Sequence, residues 1–251
     1  MSDLDRDFAA ALTGYHDSQL TIDAGLRGYM IRVYNYMTAG VALTGLVAWF
    51  TYSAAVVDTG AGLQLTEFGH AIFASPLMWL FVLAPLGLVM LLSFGINRLS
   101  AGTALTVFFV YAALVGLSLA SIFLVYTHAS ITRVFFISAA TFGATSLYGY
   151  TTQRDLTSVG SFMLMGLIGL IIASVVNIFL HSTGLDWAIS VIGVIVFVGL
   201  TAYDTQRIKE MYDVNDDGTI SGRKAVMGAL RLYLDFINLF LMLLRIFGNR
   251  R

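Results

Sequence analysis

Fifteen acidic side chains are spread along 251 residues, and the chemistry open to the chain turns on two of them. Thirteen (Asp3, Asp5, Asp7, Asp17, Asp23, Asp58, Glu67, Asp155, Asp186, Glu210, Asp213, Asp216 and Asp217) fall in polar tails or between apolar runs. Asp204 stands at the end of one such run and Asp235 inside another. A carboxylate at membrane depth costs about 2.5–3.5 kcal/mol on insertion scales, so such residues face a bundle interior and mark ion or proton paths. If the two meet, like charges in a low dielectric favour one shared proton and a short hydrogen bond, a proton-sensitive latch between consecutive helices. The competing arrangement pairs each acid separately, Asp235 with Arg231 one turn back and Asp204 with Arg207 or Lys209. The depths do not match at first sight. Asp204 closes its run, whereas Asp235 lies about ten residues, or about 15 Å, into the next. A meeting therefore requires a longer extension of the last helix or a tilt. Asn238 shares the helix face of Asp235 and is placed to hold its carboxylate.

A second constellation lies between these runs, Asp213-Val214-Asn215-Asp216-Asp217-Gly218-Thr219-Ile220-Ser221-Gly222-Arg223-Lys224. Asp213, Asn215, Asp217 and Thr219 fit the oxygen-ligand positions of an EF-hand calcium loop, with Gly218 at its sharp turn. Position twelve, where a bidentate glutamate belongs, is Lys224. Either the loop binds calcium weakly, or it is an ordinary Asn-Asp-Gly type of polar turn. His70, His128 and His181 share one expected side of the membrane and either titrate together or are separate solvated side chains. No nucleophile and base stand together and no glycine-rich phosphate loop is present, so enzyme activity is not expected.

Seven apolar runs must position these residues: Val33 to Val57, Pro76 to Ile96, Thr103 to Tyr126, Ile131 to Tyr150, Ser161 to Leu180, Trp187 to Tyr203 and Val226 to Phe247. Each is near the roughly 20 residues that cross about 30 Å of hydrocarbon at 1.5 Å per residue. None alternates with the period of two that a membrane barrel requires, so helices are expected. The composition agrees: 58% of residues are hydrophobic and 12% charged, against roughly 25% charged in a soluble domain. Asn35, Asn177 and Asn238 are expected to hydrogen-bond across helices, and Ala112 with Gly116 and Gly166 with Gly169 and Ala173 to allow close helix approach. Tyr34, Trp187 and Tyr203 read as interface anchors.

Ten of the 14 Lys and Arg fall on one side of this arrangement, leaving Arg133, Arg245, Arg250 and Arg251 for the other. The positive-inside rule then makes the N-terminus cytoplasmic and the C-terminus external. The basic Arg250-Arg251 end argues instead for a re-entrant last span. The organisation expected is a polar cytoplasmic segment, 1–32, followed by a seven-helix domain, 33–251. Zero cysteines exclude disulfides and thiol chemistry, and a net charge of -1 gives no reason to expect nucleic-acid binding. The N-terminal thirty residues lack the apolar core of a signal peptide.

The stretch Ala202-Tyr203-Asp204-Thr205-Gln206-Arg207-Ile208-Lys209, with Leu232-Tyr233-Leu234-Asp235-Phe236-Ile237-Asn238-Leu239-Phe240 and the ending Leu243-Leu244-Arg245-Ile246-Phe247-Gly248, resembles the Bax inhibitor-1 (transmembrane Bax inhibitor motif) family. The resemblance implies an all-α membrane fold of seven helices with helix seven surrounded by the rest. It implies that Asp204 and Asp235 form a pH-sensing pair governing a slow calcium leak, with Arg98, matched by position, as electrostatic partner. The acid that some members carry in the second span has no counterpart here, where Pro85 and Gly87 stand. No tightly bound cofactor is implied; calcium is the permeant ion or a weak ligand, and protons and the bilayer are the other partners. A different role is equally compatible with the resemblance, a non-conducting regulator of other membrane proteins, such as an ATP-dependent membrane protease or cell-death factors, with the N-terminal segment as its handle. A bacterial inner membrane is the expected location.

Overall fold

The computed structural model describes residues 3–59 and 62–251. The acidic N-terminal side chains up to Asp23, with Arg6, lie outside the residues whose side chains are described. The chain folds as an all-α bundle. Helix α1 (Asp3–Ala55) leads into a two-stranded antiparallel hairpin, β1 (Val56–Asp58) and β2 (Leu63–Leu65), which pairs Val56 with Leu65. There follow α2 (Glu67–Phe73), α3 (Leu77–Gly95), a 3-10 turn (Ile96–Arg98), α4 (Ala101–Leu119) and the short α5 (Ile122–Val125). Helices α6 (His128–Thr151), α7 (Thr157–Leu180), α8 (Thr183–Glu210) and α9 (Gly218–Phe247) complete the fold. In hydrocarbon every backbone N–H and C=O must be satisfied within the chain, which is why apolar runs of this length become helices. Their first turns are closed by side chains: Thr66, Ser100, Thr127, Ser182 and Asp217 each accept a bond from a backbone N–H two to three residues into the helix.

Six segments are long and apolar enough to cross a membrane: Ala24–Ala55, Leu77–Gly95, Ala101–Val125, Thr157–Leu180, Thr183–Glu210 and Gly218–Phe247. Helix α6 is not among them, although its 24 residues span about 36 Å. Its polar residues explain the difference. Ser130, Ser138 and Ser146 are buried, and Ser138 bonds the Val134 carbonyl one turn back, while Phe136 and Leu147 face outward. The serine hydroxyls among them thus point into the protein.

The polar N-terminal segment and the first span are one continuous helix, and the first crossing starts at Ala24 rather than Val33. Helices α8 and α9 also overrun the expected limits, to Glu210 and from Gly218. The apolar runs underestimate them because polar residues, once beyond the hydrocarbon, continue a helix at little cost.

The helix ends sort into two groups. At the end where the first span begins, Arg32 donates to Ser221 Oγ at 3.0 Å, Lys209 Nζ to the Tyr150 carbonyl at 3.0 Å, and Gln206 bridges Arg154 and Leu156. At the opposite end the C-terminus is fastened to the start of α6. Thr127 N–H donates to Asn249 O at 3.1 Å, Arg251 N–H to Val125 O at 3.0 Å, and Arg133 to the Phe247 carbonyl at 3.2 Å. The last helix therefore runs through to the far end, and the re-entrant arrangement suggested by Arg250-Arg251 is not adopted. Those arginines are used in the clasp: Arg251 also reaches Tyr52 Oη and His128 Nδ1, each at 3.4 Å.

Helix α9 occupies the centre, packed on α1, α4, α6 and α8, and is the most buried of the six candidate spans. Two glycines set how closely neighbours approach. A Cβ on Gly116 would lie 2.7 Å from the Thr44 carbonyl of α1, and one on Gly149 would lie 2.2 Å from the Ala202 carbonyl of α8. By contrast, Gly169 faces open space, so the small-residue run of α7 is not a tight contact along its length. Gly149→Ala should force α6 off α8 and lower stability by about 1–3 kcal/mol. Gly143→Ala on the same helix, where a Cβ meets nothing within 4 Å, should leave it unchanged; thermal unfolding in detergent compares the two.

Candidate functional site: an acid pair between the last two helices

Asp204 lies near the end of α8, and Asp235 midway along α9. The early start of α9 resolves the difference in depth: Gly228 packs against Ile208, and Asp235, two turns further on, comes level with Asp204. The two carboxyls are close enough for the charge of each to act on the other and for a side-chain hydrogen bond to link them when one is protonated. Asp235 is 5% exposed and its Oδ2 has no hydrogen-bond partner. A buried carboxyl oxygen left unbonded is uncommon and costly, and here it points to a place where a proton or cation would be held.

The cation at this site is Arg231. Its Nη1 lies 3.4 Å from Asp204 Oδ1, with the guanidinium side half-exposed and the carboxylate side largely buried. Arg231 sits one turn before Asp235 on the same helix face, so it bridges from α9 to α8 and also acts on Asp235. The separate pairings considered from the sequence are not formed. Arg207 pairs with Glu210 at 3.2 Å, and Lys209 donates to the Tyr150 carbonyl. Arg98, at the end of the 3-10 turn, is exposed and is not brought to the acid pair. The position expected for Arg98 is filled from the last helix itself. Asn238 donates to the Leu234 carbonyl at 2.8 Å and does not hold Asp235. Asn177 likewise stays local, accepting from Ser182 N–H at the cap of α8.

A ladder of hydroxyls adjoins the pair, and sequence reasoning missed it. Tyr34 Oη bonds Ser146 Oγ, which lies 2.9 Å from Thr205 Oγ1, itself donating to the Thr201 carbonyl at 2.8 Å. Thr205 follows Asp204 directly, so the ladder ties α1, α6 and α8 together beside the acids. Tyr34 thus turns inward and is not an interface anchor; Trp187 is exposed, and Tyr203 packs on Gly160. The signal available was a spacing of Ser138 and Ser146 with Thr201 and Thr205 at helical intervals on adjacent runs. A similar contact, Thr44 Oγ1 to Tyr233 Oη at 2.7 Å, joins α1 to α9.

In the loop before α9, Asp213 Oδ1 accepts from both the backbone N–H and the side-chain amide of Asn215, at 2.9 and 3.0 Å. Those amides hold the Asp213 carboxyl below the ordinary aspartate range. Asp217 caps α9 through Ile220 N–H at 2.7 Å, Thr219 enters the helix, and Asp216 pairs with Lys224. The loop carboxylates bond the chain itself, as turn and cap acceptors and in an ion pair. Among the described residues no group of three His, Asp or Glu side chains is placed to hold a metal. The histidines stay apart: His128 sits among Trp49, Tyr52 and Phe123, His181 ends α7 with φ 48°, and His70 lies in α2.

A helical membrane bundle whose central, last helix carries a buried acid opposite a second acid and a bridging arginine defines the class. The comparisons give the family. The profile described as inhibitor of apoptosis-promoting Bax1 matches residues 26–251, and the chain belongs to this Bax inhibitor-1 family. It is 51% identical over 237 residues to the inner membrane protein YbhL of Escherichia coli, covering 94% of this chain and 97% of that one. An uncharacterized protein of Rickettsia prowazekii is 47% identical over 245 residues, covering 98% and 99%, and one of Caulobacter vibrioides is 41% identical over the full length of both.

If Arg231 and Asp204 form one unit with Asp235, their substitutions will not be additive. Arg231→Gln should destabilise the protein more alone than in an Asp204→Asn background, with a coupling of about 1 kcal/mol. A double-mutant cycle of unfolding in detergent measures it.

Proposed function

We propose that this protein is a non-enzymatic, pH-sensitive cation leak in a bacterial inner membrane, with calcium as the permeant ion and α8 and α9 as its gate. The observation that carries the reading is the unbonded oxygen of Asp235, buried beside Asp204 and Arg231. With one proton the triad of two carboxyls and one guanidinium is electrically neutral. Loss of that proton leaves an uncompensated negative charge in the interior, which attracts cations and water. A second proton instead removes the partner of Arg231. Either change upsets the balance that keeps α8 on α9, and flux follows pH.

Helix α6 serves in this reading as the seventh crossing. It runs from the C-terminal clasp to the Tyr150–Lys209 contact at the other end, and its serines face inward. Seven crossings put the termini on opposite sides, and the ten of 14 Lys and Arg on the side of the first span's start support a cytoplasmic N-terminus. Inner-membrane residence rests on YbhL, whose name states it.

A second reading is supported by the description of the family as an inhibitor of a pro-apoptotic factor: a regulator that acts by binding other membrane proteins. Calcium flux into proteoliposomes at several pH values separates the two. The leak predicts flux above that of empty vesicles, changing several-fold with pH, and a flat pH response in Asp204→Asn and Asp235→Asn. No flux above empty vesicles at any pH would leave the regulator; flux whose pH response survives both substitutions would remove the acid pair as gate.

A further inference from the structure

Helices α1 and α6 both lie against α9 but make little direct contact with each other. Between them runs a cleft open sideways to the surroundings of the bundle. Its larger part is a cavity of about 700 Å³ extending from Arg27 and Tyr150 at one end, past Tyr34 and Gly143, to Val41 and Phe135. A second cavity of about 370 Å³ adjoins it, sharing Val41, Phe135 and Phe236. Cavities of this size match those that bury small ligands. The walls are almost entirely apolar.

The formal charge sits at one mouth. Arg27 lines it, and among the described residues no carboxylate pairs with this guanidinium. Lys209 stands behind Tyr150, its ammonium 5.3 Å from the ring centre and bonded to the Tyr150 carbonyl, and does not itself line the cavity. No Asp or Glu is among the residues lining either cavity. The dimensions are also informative. Arg27 to Val41 is 14 residues of helix, about 21 Å. One leaflet with its headgroup layer is half of a bilayer about 40–45 Å thick. The cleft therefore offers a cationic mouth at headgroup level, above an apolar slot as deep as one leaflet.

We propose that the cleft between α1 and α6 is a binding site for an anionic membrane phospholipid, its phosphate at Arg27 and an acyl chain along Tyr34, Gly143 and Phe135 on the floor formed by Phe236. The occupant is a lipid of the surrounding leaflet because the slot opens laterally, where such lipids are the neighbouring molecules. The site is independent of ion conduction.

Native mass spectrometry of the full chain in detergent, titrated with phosphatidylglycerol, with phosphatidylethanolamine of the same chains, and with oleate, tests the assignment. Phosphatidylglycerol should bind about fivefold more tightly than phosphatidylethanolamine, the contribution expected of one basic residue near a membrane surface. Arg27→Gln should bring the two lipids close to parity. Gly143→Trp, which fills the slot from a position where a Cβ meets nothing within 4 Å, should abolish both adducts while Gly143→Ala retains them. Gly143→Trp protein that melts like the parent and still holds phosphatidylglycerol would overturn the site. Equal affinity for the two phospholipids in the parent would overturn the cationic mouth, and oleate displacing phosphatidylglycerol at equal concentration would overturn a phospholipid as the occupant.

Discussion

The structure depends on how an acid is kept in the middle of an apolar bundle. Asp235 sits on the helix that every inner neighbour packs against, so its surroundings constrain α1, α4, α6 and α8 together. An isolated carboxylate there would be too costly to retain. The arrangement answers this with a second carboxyl, a guanidinium that reaches to a more exposed level, and a bank of hydroxyls on the adjoining helices. Breaking one partner of such a group leaves the others in the interior without compensation.

The same balance explains the division of labour among the helices. Helices α3 and α7 are largely exposed and apolar, a lipid-facing jacket. Helix α9 is amphipathic in the inverse sense for a membrane protein. It carries Arg231, Asp235 and Tyr233 toward other helices and is shielded from lipid by them. Helix α6 shares this character, with serines inward and Phe136 and Leu147 outward. Polar groups inside and apolar groups outside are the expected inversion when the solvent is hydrocarbon and helix association must come from packing and hydrogen bonds.

The helical membrane fold, the approximate spans and the placement of Asp204 and Asp235 within the bundle were legible in the sequence because each rests on a scarce property. Charges are few, and an acid within an apolar run stands out. What was not legible depends on rotation and close approach. Arg231 was visible, yet its sequence neighbour Asp235 looked the natural partner, and only the packing of α9 on α8 directs it to Asp204. Arg98 had the right end of the bundle but not the right face. Tyr34 matched an interface anchor by position in its run, and its inward turn follows from Ser146 on a helix more than 100 residues away. The loop at 213–224 has calcium-ligand letters, but the same oxygens cap helices and close turns equally well, and there they do so.

The position of α9 also bears on how the protein comes into being. Chains emerge N-terminus first, so the element that fills the centre is made after the helices that surround it, α1, α4, α6 and α8. Until then Thr44 of α1 and Asp204 of α8 lack Tyr233 and Arg231, the partners that α9 brings to them. The central helix, polar enough to be a poor lodger in bare lipid, gains its environment from helices already in place. A chain truncated before α9 would therefore lack its middle rather than its edge, and completeness of synthesis is coupled to completeness of fold.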